Sequence, residues 1–237
     1  LFMKRVYCTS ILKQGSTYEL EKKYYIHLVK VMRLKVGDQV SLFNNTSGEW
    51  KSEIVDIKNN LLIAKTISLI SPPQPETSID LMFSPIKYQN SESVIRQSTE
   101  MGIRSIFPTI FKRTINTKIN LNKFNTYAIG AAQQSERLSI PNIYDLTNLK
   151  NQLEVISSKT ILMFDENLKG VHLSQAKIKS NSEILVVIGP EGGFEEEERA
   201  FISKSSNNFL NVSLGSNILK ADTAVIAALS LTFHYFS

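Results

Sequence analysis

The sequence predicts a two-domain α/β protein in which a small β-rich domain precedes a larger domain built on a parallel sheet. Three observations predict it. Pro72, Pro73 and Pro75 fall within four positions and rule out continuous helix or strand there. The segments before them are short and alternating, and those after them are aliphatic runs separated by helical stretches. A content of 42% hydrophobic and 21% charged residues supplies a packed core and excludes wholesale disorder. The expected domains are residues 1–71 and 77–237.

In chain order, Lys4 to Ser10 and Gln39 to Phe43 read as strands, as do the segments around Trp50 to Ile57 and Leu61 to Ile70. Between the first two, Tyr18 to Met32 carries Leu20, Tyr24, Leu28 and Val31 near helical spacing, and Gly37-Asp38 supplies a turn. A small barrel with one helix accommodates these pieces. After the prolines, strands are expected at Ile79 to Phe83, Ser105 to Pro108, Thr160 to Phe164, Ile184 to Ile188 and Phe209 to Val212. Helices are expected around Ser91 to Met101, Phe124 to Gln134, Glu195 to Ser205 and Leu219 to Phe236. The aliphatic run Ile184 to Ile188 suits a central strand covered on both faces.

A net charge of +5 and a pI near 9.1 are compatible with an anionic partner without requiring one. Cys8 is the single cysteine, and no Cys or His cluster has zinc spacing. Neither a disulfide nor a metal is therefore expected, and a reducing cytoplasm is the natural setting. Lys4 and Arg5 have no apolar run behind them, and no stretch approaches membrane-spanning length. Met3 stands as a candidate start.

Two segments carry the chemistry. Ile188-Gly189-Pro190-Glu191-Gly192-Gly193-Phe194 joins the central strand to four consecutive glutamates. It makes a tight turn that presents bare backbone at a strand's carboxyl end, where open α/β sheets bind ligands. A plain strand-to-helix turn with an acidic first helical turn would use the same residues. Val212 to Ala224 also leaves a strand, passes Gly215 and enters an apolar helix, with Asp222 or Thr223 placed to serve its first amides.

In this order the pair resembles the SPOUT methyltransferases, specifically the 16S ribosomal RNA uridine N3 methyltransferase family. The likeness extends to Ser98-Thr99-Glu100-Met101-Gly102-Ile103, to Ala131-Ala132-Gln133-Gln134-Ser135-Glu136-Arg137, and to His27 through Arg33 with Gly37-Asp38 and Leu42-Phe43. It departs at Asn217, Lys220 and Ala221-Asp222-Thr223-Ala224, where the family favours arginine and a TETA run; the charge types survive at Lys220 and Asp222.

The resemblance implies a C-terminal trefoil knot whose loops hold S-adenosylmethionine, a homodimer packed across the knot, an N-terminal PUA-like RNA-binding barrel, 16S rRNA of the small ribosomal subunit as partner, and no metal. For the cofactor it implies Phe164, Asp165 and Glu166, the turn Ile188, Gly189, Pro190, Glu191, Gly192 and Gly193, and Leu214, Gly215, Ile218, Leu219 and Thr223. The apolar members of this set would also be core residues in any α/β domain. Glu191 or Glu100 is the candidate base and Arg137 the candidate cation; Glu100 equally suits a helix face, and Arg137 a pairing with Glu136. Arg5, His27, Lys30, Arg33 and Lys35 are the candidate RNA contacts, with Lys112 and Arg113 extending a phosphate track. A solvated charged face and a structural histidine are the competing readings. Two rival functions remain: methylation of transfer RNA or a ribose hydroxyl, and an RNA-binding module that has lost catalysis.

Overall fold

The computed structural model describes all residues except 1, 2, 87, 157, 158, 166–169, 177, 180 and 237. The chain divides into two compact units, residues 1–76 with 132–140, and residues 77–131 with 141–237.

The first unit is a five-stranded sheet in the order β1-β3-β4-β5-β2. Its strands are β1 (Lys4–Tyr7), β2 (Thr17–Leu20), β3 (Gln39–Asn44), β4 (Gly48–Lys58) and β5 (Leu61–Ser71). β1 runs parallel to β3 and the other pairs are antiparallel. Tyr18 and Leu20, expected in a helix, stand instead in β2, which pairs Thr17–Leu20 with Lys65–Leu62 of β5. Helix α1 (Lys22–Tyr24) begins only after that strand and widens into a π-helical segment, Tyr25–Val31. Val6, Leu20, Tyr24, Leu28, Val40, Leu42, Ile54 and Leu62 form the core.

Residues 132–140 join this unit through Ala132 and Leu138, which pack on Phe43. Arg5 fastens them. Its Nε and Nη2 donate to the two carboxylate oxygens of Glu49 at 3.0 and 3.1 Å, and it further donates to the carbonyls of Ala132, Gln133 and Arg137. Those acceptors take all five guanidinium N–H donors, and the side chain is only 9% exposed. The expected RNA contact at Arg5 is thus corrected to an internal tie, because no donor is left for a phosphate.

The second unit is a parallel sheet in the order β12-β10-β11-β6-β7-β8, made of β6 (Ile79–Phe83), β7 (Ser105–Ile110), β8 (Asn142–Ile143), β10 (Thr160–Phe164), β11 (Ile184–Ile188) and β12 (Phe209–Asn211). The short β9 (Thr147–Asn148) also pairs with β7. Every residue of β6, β10 and β11 is buried, as their aliphatic runs require. The helices are α2 (Tyr88–Met101), α3 (Leu121–Gln134), α4 (Leu149–Val155), α5 (Glu196–Lys204) and α6 (Ala221–Phe236), with α2 packed on α6.

β10 and the chain just beyond it enclose β12 from both sides. Val212 donates its N–H to Met163 O, while Val171 N donates to Asn211 O and Ser213 N to Val171 O. The β12 segment thus lies between β10 and Val171, two stretches that both precede it in the chain, a crossing that ordinary connection rules exclude. Gly170 permits the crossing, since a Cβ there would lie 2.4 Å from Ser213 N.

Candidate functional site

The carboxyl ends of β10, β11 and β12 open into a cleft of about 470 Å³, within the range of small-molecule sites. Phe164 and Asp165 line it from β10, Ile188, Gly189, Pro190, Glu191 and Gly193 from the turn after β11, and Leu214, Gly215, Ile218 and Leu219 from the turn after β12. The structure thus brings the two glycine segments to one pocket. Asn90, Phe194, Val212, Ser213, Asn217, Lys220, Ala221 and Ala224 also line it and were not foreseen as cofactor contacts. Nothing in the sequence points to Asn90, which reaches the cleft from the start of α2. Asn217 and Lys220, noted only as family departures, face the same cavity. Gly192 and Thr223 do not line it, and Glu166 lies outside the described residues.

Local chemistry shapes the turn after β11. Gly193 N donates to Pro190 O, closing a tight turn, and Gly193 takes φ +73°, the left-handed region that favours glycine. Gly189 must lack a side chain for another reason. A Cβ there would meet Phe194 at 2.6 Å, and Phe194 is fixed beneath the turn by an edge-on contact with Phe111. The backbone along this turn therefore stays bare toward the cavity.

The four glutamates after the turn bind the segment following β7. Buried Glu198 accepts the N–H of Lys112 at 2.7 Å and that of Glu195 at 2.9 Å. Lys112 Nζ pairs with Glu197. Arg113 donates Nε to Glu195 Oε1 and Nη1 to the carbonyl of Gly192, both at 2.7 Å. Lys112 and Arg113, expected on a phosphate track, thus clip the glycine turn to its neighbour. Hydrogen bonding to Glu197 raises the Lys112 pKa, and the same contact lowers that of Glu197.

Two carboxylates line the cleft. Asp165, with its side chain 1% exposed, is bonded by Arg199 Nε at 2.5 Å, and that hydrogen bond raises the arginine pKa. Glu191 is exposed, and its side chain has no ion pair or hydrogen bond among the described residues. Glu100 is exposed on α2 and does not line the cleft. Arg137 belongs to the first unit, where its Nε donates to Ser139 Oγ at 2.9 Å. Burial pulls its pKa down to about 10, against the opposing charge of Glu76, so it remains a cation at neutral pH.

His27, Lys30, Arg33 and Lys35 are all exposed around the π-helical segment of the first unit. Exposed Ile26, Val31 and Val36 lie among them. No group of three or more His, Cys, Asp or Glu that could hold a metal occurs among the described residues, and none of their helices is long and apolar enough to cross a membrane.

Comparison with known proteins places these features. Residues 72–232 match the profile of an RNA methyltransferase domain and residues 25–67 that of an RNA methyltransferase PUA domain. The ribosomal RNA small subunit methyltransferase E of Rickettsia conorii is 34% identical over 95% of this chain and 93% of its own length. A second protein of that name, from Borreliella burgdorferi, is 30% identical over 89% of this chain and 88% of its own. Among solved structures, a methyltransferase from Legionella pneumophila in complex with S-adenosylmethionine superposes with a TM-score of 0.87 and 27% identity, covering 99% of this chain and 98% of the other. The ribosomal RNA small subunit methyltransferase E of Neisseria gonorrhoeae, also bound to S-adenosylmethionine, gives a TM-score of 0.87 over 98% of both chains at 24% identity.

Proposed function

This chain belongs to the RNA methyltransferase family that includes ribosomal RNA small subunit methyltransferase E, and on that premise we propose that it methylates N3 of a uridine in 16S ribosomal RNA with S-adenosylmethionine as donor. The observation that carries the reading is the convergence of the turns at 189–193 and 214–220 on one cleft at the carboxyl end of a parallel sheet.

The residues present fit the donor. Phe164, Ile188, Leu214 and Leu219 provide apolar walls for an adenosine, and the bare backbone of the turn after β11 provides polar contacts without side-chain bulk. S-adenosylmethionine, when bound, supplies an electrophilic methyl group and departs as a neutral thioether.

N3 of uracil carries a proton and lies on the Watson–Crick edge, so the target base must be unpaired or extruded. Glu191 takes that proton: it is the carboxylate of the cleft that Arg199 leaves untied, whereas Asp165 is held. Arg137 serves as the cation that orients the base or its phosphate. His27, Lys30, Arg33 and Lys35 supply the RNA-facing charge of the PUA unit. The enzyme acts in the cytoplasm as a homodimer.

Titration calorimetry with S-adenosylmethionine and mass spectrometry of rRNA from cells lacking the protein test the two halves separately. We expect saturable uptake of the donor and disappearance of one N3-methyluridine from 16S rRNA. Persistence of every N3-methyluridine would overturn the substrate, and absence of uptake would leave only an RNA-binding module.

A further inference from the structure

A second, smaller hollow of about 50 Å³ adjoins the donor cleft, and Pro190 and Glu191 line both. Its remaining walls are Ser84, Pro85 and Ile86 after β6, and Arg113, Ile115 and Asn116 after β7. We propose that this hollow receives the ring of the target uridine, so that Glu191, on the wall common to both spaces, borders base and donor alike and leaves N3 a direct approach to the methyl group. The proposal rests on the reading of the cleft as a methyltransferase site and assigns the place of its second substrate.

Size comes first. At about 10–15 Å³ of such space per water, the hollow holds about three to five waters, the scale of one pyrimidine ring and far too little for the donor. Chemistry agrees with size. Uracil has apolar faces and a polar rim, and the hollow offers Pro85, Ile86 and Ile115 beside the polar groups of Ser84, Asn116 and Glu191. Ile115 is 86% exposed, an apolar side chain left in water at the rim where an arriving base would cover it.

The walls are also held in place. Ser84 Oγ shares a hydrogen bond with Thr114 Oγ1 at 2.8 Å, and Ser84 N donates to Ile188 O. Asn116 donates Nδ2 to Ile86 O at 3.0 Å, which leaves its second amide N–H to meet a uracil carbonyl. Arg113 is fixed to Glu195 and to the Gly192 carbonyl. A subsite formed before the base arrives loses less entropy on binding it. A base seated there presents its rim to Glu191, the one residue of the shared wall that accepts a proton.

The test uses the full chain and a small-subunit rRNA transcript in which 4-thiouridine replaces the uridine that mass spectrometry identifies as methylated. Irradiation of the complex followed by peptide mapping should place the crosslink in residues 84–86 or 113–116. In parallel, Ile115→Ala should lower kcat/KM for the RNA by about tenfold and leave S-adenosylmethionine affinity unchanged; its exposure makes loss of folding no concern. Crosslinks confined to other segments, with Ile115→Ala as active as the unaltered protein, would remove the base from this hollow while leaving the methyltransferase reading intact. If the unaltered protein forms no N3-methyluridine on the transcript, the reading itself has failed and the subsite falls with it.

Discussion

At the scale of single residues, identity reveals chemistry but not partners. Arg5 and Arg137 are the same residue type at equally suggestive positions, yet Arg5 has every donor engaged within its own unit. A sequence cannot show this, because Glu49 and the carbonyls of Ala132 and Arg137 are brought to Arg5 only by the fold. Glu191 was singled out through the family resemblance of its turn, it lines the cleft, and its role as base is the proposal made above. Replacing it by glutamine should lower kcat by about 10² to 10³ and leave donor affinity nearly unchanged, as removal of a general base does. Calorimetry and single-turnover methylation measure the two quantities, and full activity in Glu191→Gln would return the assignment to another group. Arg137→Ala should likewise abolish methylation while S-adenosylmethionine still binds; unchanged turnover would take Arg137 out of the site.

At the scale of elements, the five-residue strands β6, β10 and β11 were legible end to end, since burial on both faces leaves runs that are apolar apart from Asp80 and Thr160. The misses have a common cause. β2 is four residues long with its burial alternating only weakly, and its stability comes from pairing with β5, a partner more than forty residues away. β8 and β9 have two residues each and α4 has seven, too few for a period to show. The acidic start of α5 was legible as a helix dipole feature, but its tie to Lys112 and Arg113 is tertiary. That tie makes a prediction. Arg113→Ala removes two charge-assisted hydrogen bonds at a half-exposed site, to Glu195 and to the Gly192 carbonyl, and by freeing one side of the glycine turn should weaken S-adenosylmethionine binding about three- to tenfold. The same calorimetric titration measures it, and an unchanged affinity would mean the turn holds its shape without the clip.

At the scale of the whole molecule, the crossing of the chain over β12 was foreseen only through resemblance, because no local pattern encodes which side of a later strand an earlier connection takes. The opposite end of the sheet carries a different global constraint. Asp80 in β6 is fully buried and is bonded by Arg104 Nε and Nη2 at 3.0 and 2.8 Å and by Lys159 Nζ; Glu183 accepts from Arg104 at 2.9 Å. These four residues stand at or just before the amino ends of β6, β7, β10 and β11, so one carboxylate ties strands that are distant in sequence. Burial pushes the Asp80 pKa up, but the hydrogen bonds and charges of Arg104 and Lys159 outweigh it, and the carboxyl sits below its ordinary value. A depressed folded pKa stabilises the protein above the unfolded carboxylate value and is lost as the pH falls through the folded one, so this contribution is complete at neutral pH and fades below about pH 4. Asp80→Asn keeps the shape, removes the charge and leaves the part-buried Arg104 and Lys159 with the half-exposed Glu183 as their carboxylate partner. It should destabilise this unit by about 3 kcal/mol at pH 7. The deficit should shrink as the pH falls below about 4, where the unfolded chain takes up a proton that the folded carboxyl resists and the charge of Asp80 stabilises the fold progressively less. Hydrogen exchange of peptides spanning β6 and β10, followed against pH in both proteins, reads the effect where it arises. Protection that differs equally at pH 7 and pH 3 would mean that packing, and not the Asp80 charge, holds the amino ends of these strands together.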